Sequence, residues 1–128
     1  GKRVEFIPLL NAKIGAQGSY KRWSASLQMM ALTSQFTDVE NSLAAYPGDP
    51  REGILGPIPG YTVADFSASY RRELWTLEFG VNNLLNAHYF TRRALGYPGP
   101  GILPSAPRNV YLGFQIDLNP RTLRRTAR

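Results

Sequence analysis

Five stretches of this chain alternate apolar and polar residues with a period of two, and nothing else in the sequence restricts the fold as much. In "WSASLQMMALTSQF" one face carries Trp23, Ala25, Leu27, Met29 and Ala31; the other begins Ser24, Ser26, Gln28 and turns apolar at Met30 and Leu32. In "YTVADFSASY" Ala64, Phe66, Ala68 and Tyr70 oppose Asp65, Ser67 and Ser69. In "WTLEFGVN" Trp75, Leu77, Phe79 and Val81 oppose Thr76, Glu78, Gly80 and Asn82. In "NVYLGFQIDL" Val110, Leu112, Phe114, Ile116 and Leu118 oppose Tyr111, Gly113, Gln115 and Asp117. A fainter stretch, "LLNAKIGAQG", sets Leu10, Ala12, Ile14 and Ala16 against Asn11, Lys13 and Gln17. Side chains alternate across a strand, so each stretch reads as a strand with one apolar and one polar face. Helical spacing fits none of them, and the fold class is all-β.

The connections alternate in length. "GSYKR" joins the first two strands and "RREL" the third and fourth. About twenty residues separate the second from the third, and a similar "NAHYFTRRALGYPGPGILPSAPR" separates the fourth from the fifth. Short, long, short, long is an antiparallel up-and-down meander with its long loops at one end. Outer-membrane barrels sort their connections in this way, with tight periplasmic turns and long extracellular loops.

Aromatic rings mark the short-turn end: Tyr20, Trp23, Tyr70 and Trp75. Such rings favour a membrane–water boundary, having an apolar body and a polar edge. Rings also flank soluble hairpins. The charges Lys13, Asp65, Glu78 and Asp117 fall mid-strand on the polar face, which suits a wet or plugged lumen. The solvated side of an ordinary sheet would accept them equally. That alternative leaves the opposite, aromatic-rich face without a cover, since the chain offers no amphipathic helix.

Composition excludes several classes. There is no cysteine, hence no disulfide and no thiolate metal site. The one histidine, His88, cannot build a histidine cluster, and nothing sets a serine in a nucleophile elbow. "GYPGPG" lacks the lysine and the strand-to-helix setting of a phosphate loop and reads as a stiff turn. No catalytic residues, metal or cofactor are expected. No apolar run reaches the roughly 18 residues of a membrane helix, but a spanning strand needs only about 9–11 residues, half of them apolar. The mean hydropathy of −0.27 therefore does not argue against a membrane. The net charge of +6 is scattered over turns and the tail, with four of fifteen basic residues in the last eight. No basic helix or RNA-binding signature accompanies it, so nucleic acid is not an expected partner.

Five strands cannot close a barrel alone, because the smallest single-chain bacterial barrels have about eight. Both edges would leave unpaired backbone. The chain also starts at Gly1 without an initiator methionine or a leader pattern, and it reads as a piece of a longer protein.

"LEFGVNNLLNAHYF", followed by "TRRALGYPGPGILPSAPRNVYLGFQIDL", resembles the C-terminal end of TonB-dependent outer-membrane receptors. The penultimate strand of that family typically ends in G-V-x-N-L-x-(D/N)-x-x-Y, matched here by Gly80, Val81, Asn83, Leu84, Asn86 and Tyr89. "PRNVYLGF" matches the start of the family's last strand loosely, with proline for glycine. The resemblance runs over roughly residues 5 to 118. It implies the last five strands of a barrel of about 22, in the bacterial outer membrane. The intact protein would hold an N-terminal plug and take up a ferric chelate or cobalamin, driven through TonB. Neither a plug nor the short segment that TonB grasps is recognisable in this sequence. On this reading residues 1–118 are barrel wall contacting lipid, the plug and the rest of the barrel. Residues 119–128, "NPRTLRRTAR", form a basic, disordered tail in place of the family's usual terminal aromatic residue.

The asparagines of the motif sit where a strand leaves the membrane, where their side chains can bond freed backbone groups. Leu84, Leu85 and Tyr89 can anchor the emerging chain. The motif is therefore read as architectural. A ligand is better sought at Arg92, Arg93 and Arg108, with Arg51 from the other long loop, as a positive patch for an anionic ferric chelate such as ferric citrate. Lipopolysaccharide phosphates or solvent would satisfy the same arginines. The competing reading of the whole chain is a soluble antiparallel β-sheet binding module whose apolar face meets a partner; a third is a strand-exchanging homo-oligomer.

Overall fold

The computed structural model describes residues 1–43, 55–94 and 101–118. Seven strands form, and no helix is present among the described residues. β1 (Asn11–Tyr20), β2 (Trp23–Leu32), β3 (Tyr61–Arg71), β4 (Trp75–Asn82) and β7 (Asn109–Ile116) make one antiparallel sheet in the order β1-β2-β3-β4-β7. β5 (Phe90–Ala94) and β6 (Gly101–Pro104) pair separately as a small hairpin.

The sheet is the five-stranded meander expected from the alternation, with three adjustments. β1 runs on to Tyr20, so the first turn is only Lys21 and Arg22. Lys21 takes φ 56° there, the positive value that a two-residue hairpin needs at its first central position. β2 stops at Leu32 instead of running to Phe36, because Thr33 turns its N–H to the Leu10 carbonyl and Gln35 bridges to Ile58. The second long connection is not bare loop, since it carries β5 and β6. The proposed stiff turn falls mostly outside the described residues, as do Arg51 and the tail 119–128.

Register carries the alternation across strands. Trp23 faces Tyr70, Tyr70 faces Leu77, and Leu77 faces Phe114. Leu27 faces Phe66, which faces Val81, which faces Val110. One face is thus apolar over all five strands. A one-residue slip would mix the two faces, so the pairing is strongly specified.

Among the described residues nothing covers this apolar face. Ile14 is 68% exposed and Leu112 72%, and Leu27, Met29, Phe79 and Phe114 are also open. The best-enclosed residues apart from glycine, Ile58, Val63, Ala64, Asn83 and Ala94, gather at the long-connection end. A soluble monomer seldom leaves so continuous an apolar surface in water.

Candidate functional site

The apolar face ends at the short turns in a row of rings, one from each strand. Tyr20 stands opposite Trp23 in register. The Trp23 and Tyr70 centroids lie 4.7 Å apart, Tyr70 and Trp75 5.6 Å, and Trp75 and Phe114 6.0 Å. The Lys21 ammonium sits 5.1 Å from the centre of the Tyr20 ring. From Trp23 to Leu32 the backbone covers about 30 Å at ~3.3 Å per residue. A tilt of about 40° reduces that to about 23 Å, close to the ~25 Å apolar band of an outer-membrane barrel.

The opposite face is polar and close-knit. Ser26 and Ser67 share a hydrogen bond across β2 and β3 (Oγ···Oγ 2.7 Å). Tyr111 of β7 lies across Gly80 of β4, its partner in register; any Cβ at Gly80 would run into the phenol ring. Toward the long loops this face opens into a depression of about 770 Å³, lined in part by Lys13, Gln28, Asp65, Asn82, Asn109 and Tyr89.

Asn83, itself part of the lining of the depression, ties the root of the second long connection. It is only 4% exposed and holds φ 52°, a left-handed conformation that asparagine tolerates better than most residues. Its N–H donates to Asp65 Oδ1 (2.8 Å), and its Oδ1 accepts from the Ala87 N–H (2.8 Å). Its Nδ2 donates to the carbonyls of Ala87 (2.9 Å) and Ala106 (3.3 Å). Asn86, also left-handed at φ 52°, donates its N–H to the Asn83 carbonyl, and its Oδ1 accepts from the Arg108 N–H (3.2 Å). Asn82 Nδ2 donates to Asn109 Oδ1 across β4 and β7 (2.9 Å). Leu84 donates its N–H to the Ala64 carbonyl, and Tyr89 stacks on Tyr61 with centroids 4.4 Å apart.

An apolar outer face, a ring belt, a polar inner face and two open edges describe a piece of barrel wall. The sequence agrees: the family described as TonB dependent receptor-like, beta-barrel matches residues 1–84 of the 128. The chain belongs to the TonB-dependent receptor β-barrel family. Solved structures repeat the arrangement. The ferric citrate transporter FecA in its unliganded form matches with a TM-score of 0.72 at 26% identity, over 88% of this chain and 17% of FecA. The ferric-catecholate import receptor Fiu from E. coli K12, in its open form, matches at 0.60 and 21% identity, over 80% of this chain and 14% of Fiu. The copper transporter OprC matches at 0.63 and 18%, over 88% of this chain and 18% of OprC. The last two likenesses speak for the fold alone. This chain spans less than a fifth of the length of any of these structures. No curated protein matches it in sequence.

In a TonB-dependent receptor barrel the apolar face is the outer wall and the polar face lines the interior. Of the arginines considered for a ligand, Arg92 and Arg108 are exposed. Arg93 is half-buried: its Nε donates to the Gly56 carbonyl (3.1 Å) and its Nη2 to that of Pro57 (3.2 Å), while its guanidinium lies 5.3 Å from the Phe90 ring centre. It joins the second long connection to the first. His88 is exposed, and no cluster of metal-binding side chains occurs among the described residues.

Sequence reasoning passed over two members of these sites. Phe114 was not placed in the ring row because no turn flanks it; only the Leu77–Phe114 register brings it beside Trp75. Tyr111 stood simply as a residue of the polar face. A glycine and a tyrosine both facing inward on the last two wall strands were the available signal.

Proposed function

We propose that residues 1–118 are wall strands of an outer-membrane receptor that imports a ferric chelate, with citrate-type chelates the leading class, under the drive of TonB. The single observation behind this reading is the uncovered apolar face closed off by one ring per strand. The 26% identity to the ferric citrate transporter supports the choice of cargo. The chain contributes structure and does no covalent chemistry. Lipid contacts the apolar face, and the plug and the remaining strands meet the polar face and the open edges. The basic tail 119–128 follows the last wall strand in sequence. At the long-loop end Arg92 and Arg108, together with Arg51, offer guanidinium groups to chelate carboxylates. Arg93 serves that mouth by holding the two long connections together.

The test is fractionation and uptake with the receptor polypeptide that carries this chain. Sedimentation with the outer membrane, release only by detergent, and ferric citrate uptake that stops without TonB are expected. A chain that stays in solution without detergent would favour the soluble β-sheet binding module. Uptake of free copper ions in place of the chelate would keep the wall and replace the cargo.

A further inference from the structure

The short-turn end carries a feature that wall-building does not need. Lys21 and Arg22 form the first turn, Arg71 ends β3, and Arg72 opens the second turn. All four are exposed. The two turns are bound together, since Arg71 donates its N–H to the Arg22 carbonyl (2.9 Å), and the second is closed on itself by the Arg72 N–H donating to the Trp75 carbonyl (2.7 Å). Between them lies a depression of about 300 Å³ lined by Arg22, Arg72, Glu73, Leu74 and Trp75.

We propose that this depression is a binding site for the phosphate headgroup of an anionic glycerophospholipid in the leaflet against which the short turns lie. The inference rests on the membrane-wall reading above. Three observations favour a lipid. First, the cations are continuous with the ring belt: Lys21 lies over Tyr20, and Trp75 belongs to both the depression and the belt. A molecule with its phosphate here would have its acyl chains lying on the apolar face, beside Leu77 and Phe114. Second, Arg22 and Arg72 line the same depression from different turns, so one phosphate can receive two guanidinium groups, a geometry that lysine alone does not supply. Third, the charge balance favours an anion. Lys21, Arg22, Arg71 and Arg72 stand against Glu73 and Asp117, the latter donating its N–H to the Leu74 carbonyl, and both carboxylate residues make interactions of their own. Juxtamembrane basic residues each favour an anionic surface by roughly fivefold. Positions held against the belt add register to that general attraction.

The chain carries its own reporter, because its only two tryptophans, Trp23 and Trp75, both stand in the belt. The receptor polypeptide that carries this chain, with every tryptophan outside the chain replaced by phenylalanine, is incorporated into vesicles of phosphatidylcholine containing a minor share of phosphatidylglycerol, with bromine on the acyl chains of either one lipid or the other. Folding is checked by the circular dichroism of β-sheet. Quenching by brominated phosphatidylglycerol several-fold above its share of the lipid is expected. The R22Q/R72Q pair should bring that preference down to its bulk share, while R92Q/R108Q, at the other end, should leave it unchanged. Added inorganic phosphate should not compete at millimolar concentration; if it does, the site takes phosphate without its lipid and the proposal fails. Quenching that follows bulk composition in the parent chain, or a preference that survives R22Q/R72Q, would overturn the headgroup site and leave the membrane wall standing. Absence of quenching by either lipid would overturn both.

Discussion

Tyr111 lays its ring over Gly80, the residue it faces across β4 and β7. The glycine leaves a gap in the inner surface of the sheet and the tyrosine fills it from the neighbouring strand, an arrangement known to rescue glycine within sheets.

A methyl group at Gly80 should therefore displace that ring. G80A is expected to cost about 1–3 kcal/mol, the usual range for overpacking. Urea unfolding in detergent would measure it. The same change in a Y111S background should cost clearly less, because the obstacle is gone. Equal costs in the two backgrounds would show that the ring does not rest on the glycine.

Asn83 has two jobs that different substitutions separate. N83G keeps the left-handed backbone but loses the bonds to Ala87 and Ala106; N83A loses both. N83A should destabilise the second long connection by about 2–4 kcal/mol, summing lost buried hydrogen bonds and backbone strain. N83G should fall between it and the parent. Limited proteolysis between residues 84 and 108 reads the effect. Equal protection in all three would remove the asparagine from the structural account.

Arg93 and its neighbours should separate by phenotype. R93Q loosens the junction with Gly56 and Pro57, so protease should open the long connections while the wall strands stay resistant. R92Q and R108Q should leave protection alone and weaken ferric citrate binding by the intact receptor, up to about fivefold each, as for exposed ion pairs. That weakening should shrink as salt is added. A salt-independent loss would point away from charge recognition.

Within the ring row Trp75 touches both Tyr70 and Phe114. W75A should therefore cost more than F114A, which loses one partner. Aromatic pairs add about 0.5–1.5 kcal/mol beyond area burial, so the difference should be of that order in detergent-solubilised protein. The opposite ranking would mean that the rings act singly.

The sheet was legible because its information is local. Alternation in "WTLEFGVN" and "NVYLGFQIDL" marks β4 and β7 on their own, and the placing of the short turns orders the strands. What escaped depends on two distant segments meeting. β5 is five residues long and β6 four, too short for a period-two signal, and β6 ends in proline. Arg93 looks like any loop arginine until Gly56 and Pro57 bring their carbonyls within its reach. Phe114 joins the rings only through a register that no single strand encodes.

Antiparallel pairing through five strands has a consequence of parity. β1, β3 and β7 all run one way, so the two open edges point in the same direction. Copies of this segment arranged around a common axis would have to join edge to edge in parallel, unlike every pairing within the sheet. Copies joined antiparallel would place their long loops on opposite sides of the bilayer. Neither arrangement seals a uniform antiparallel wall with its loops on one side. The odd count makes the segment incomplete in direction as well as in size, and only an odd number of further strands can supply what is missing.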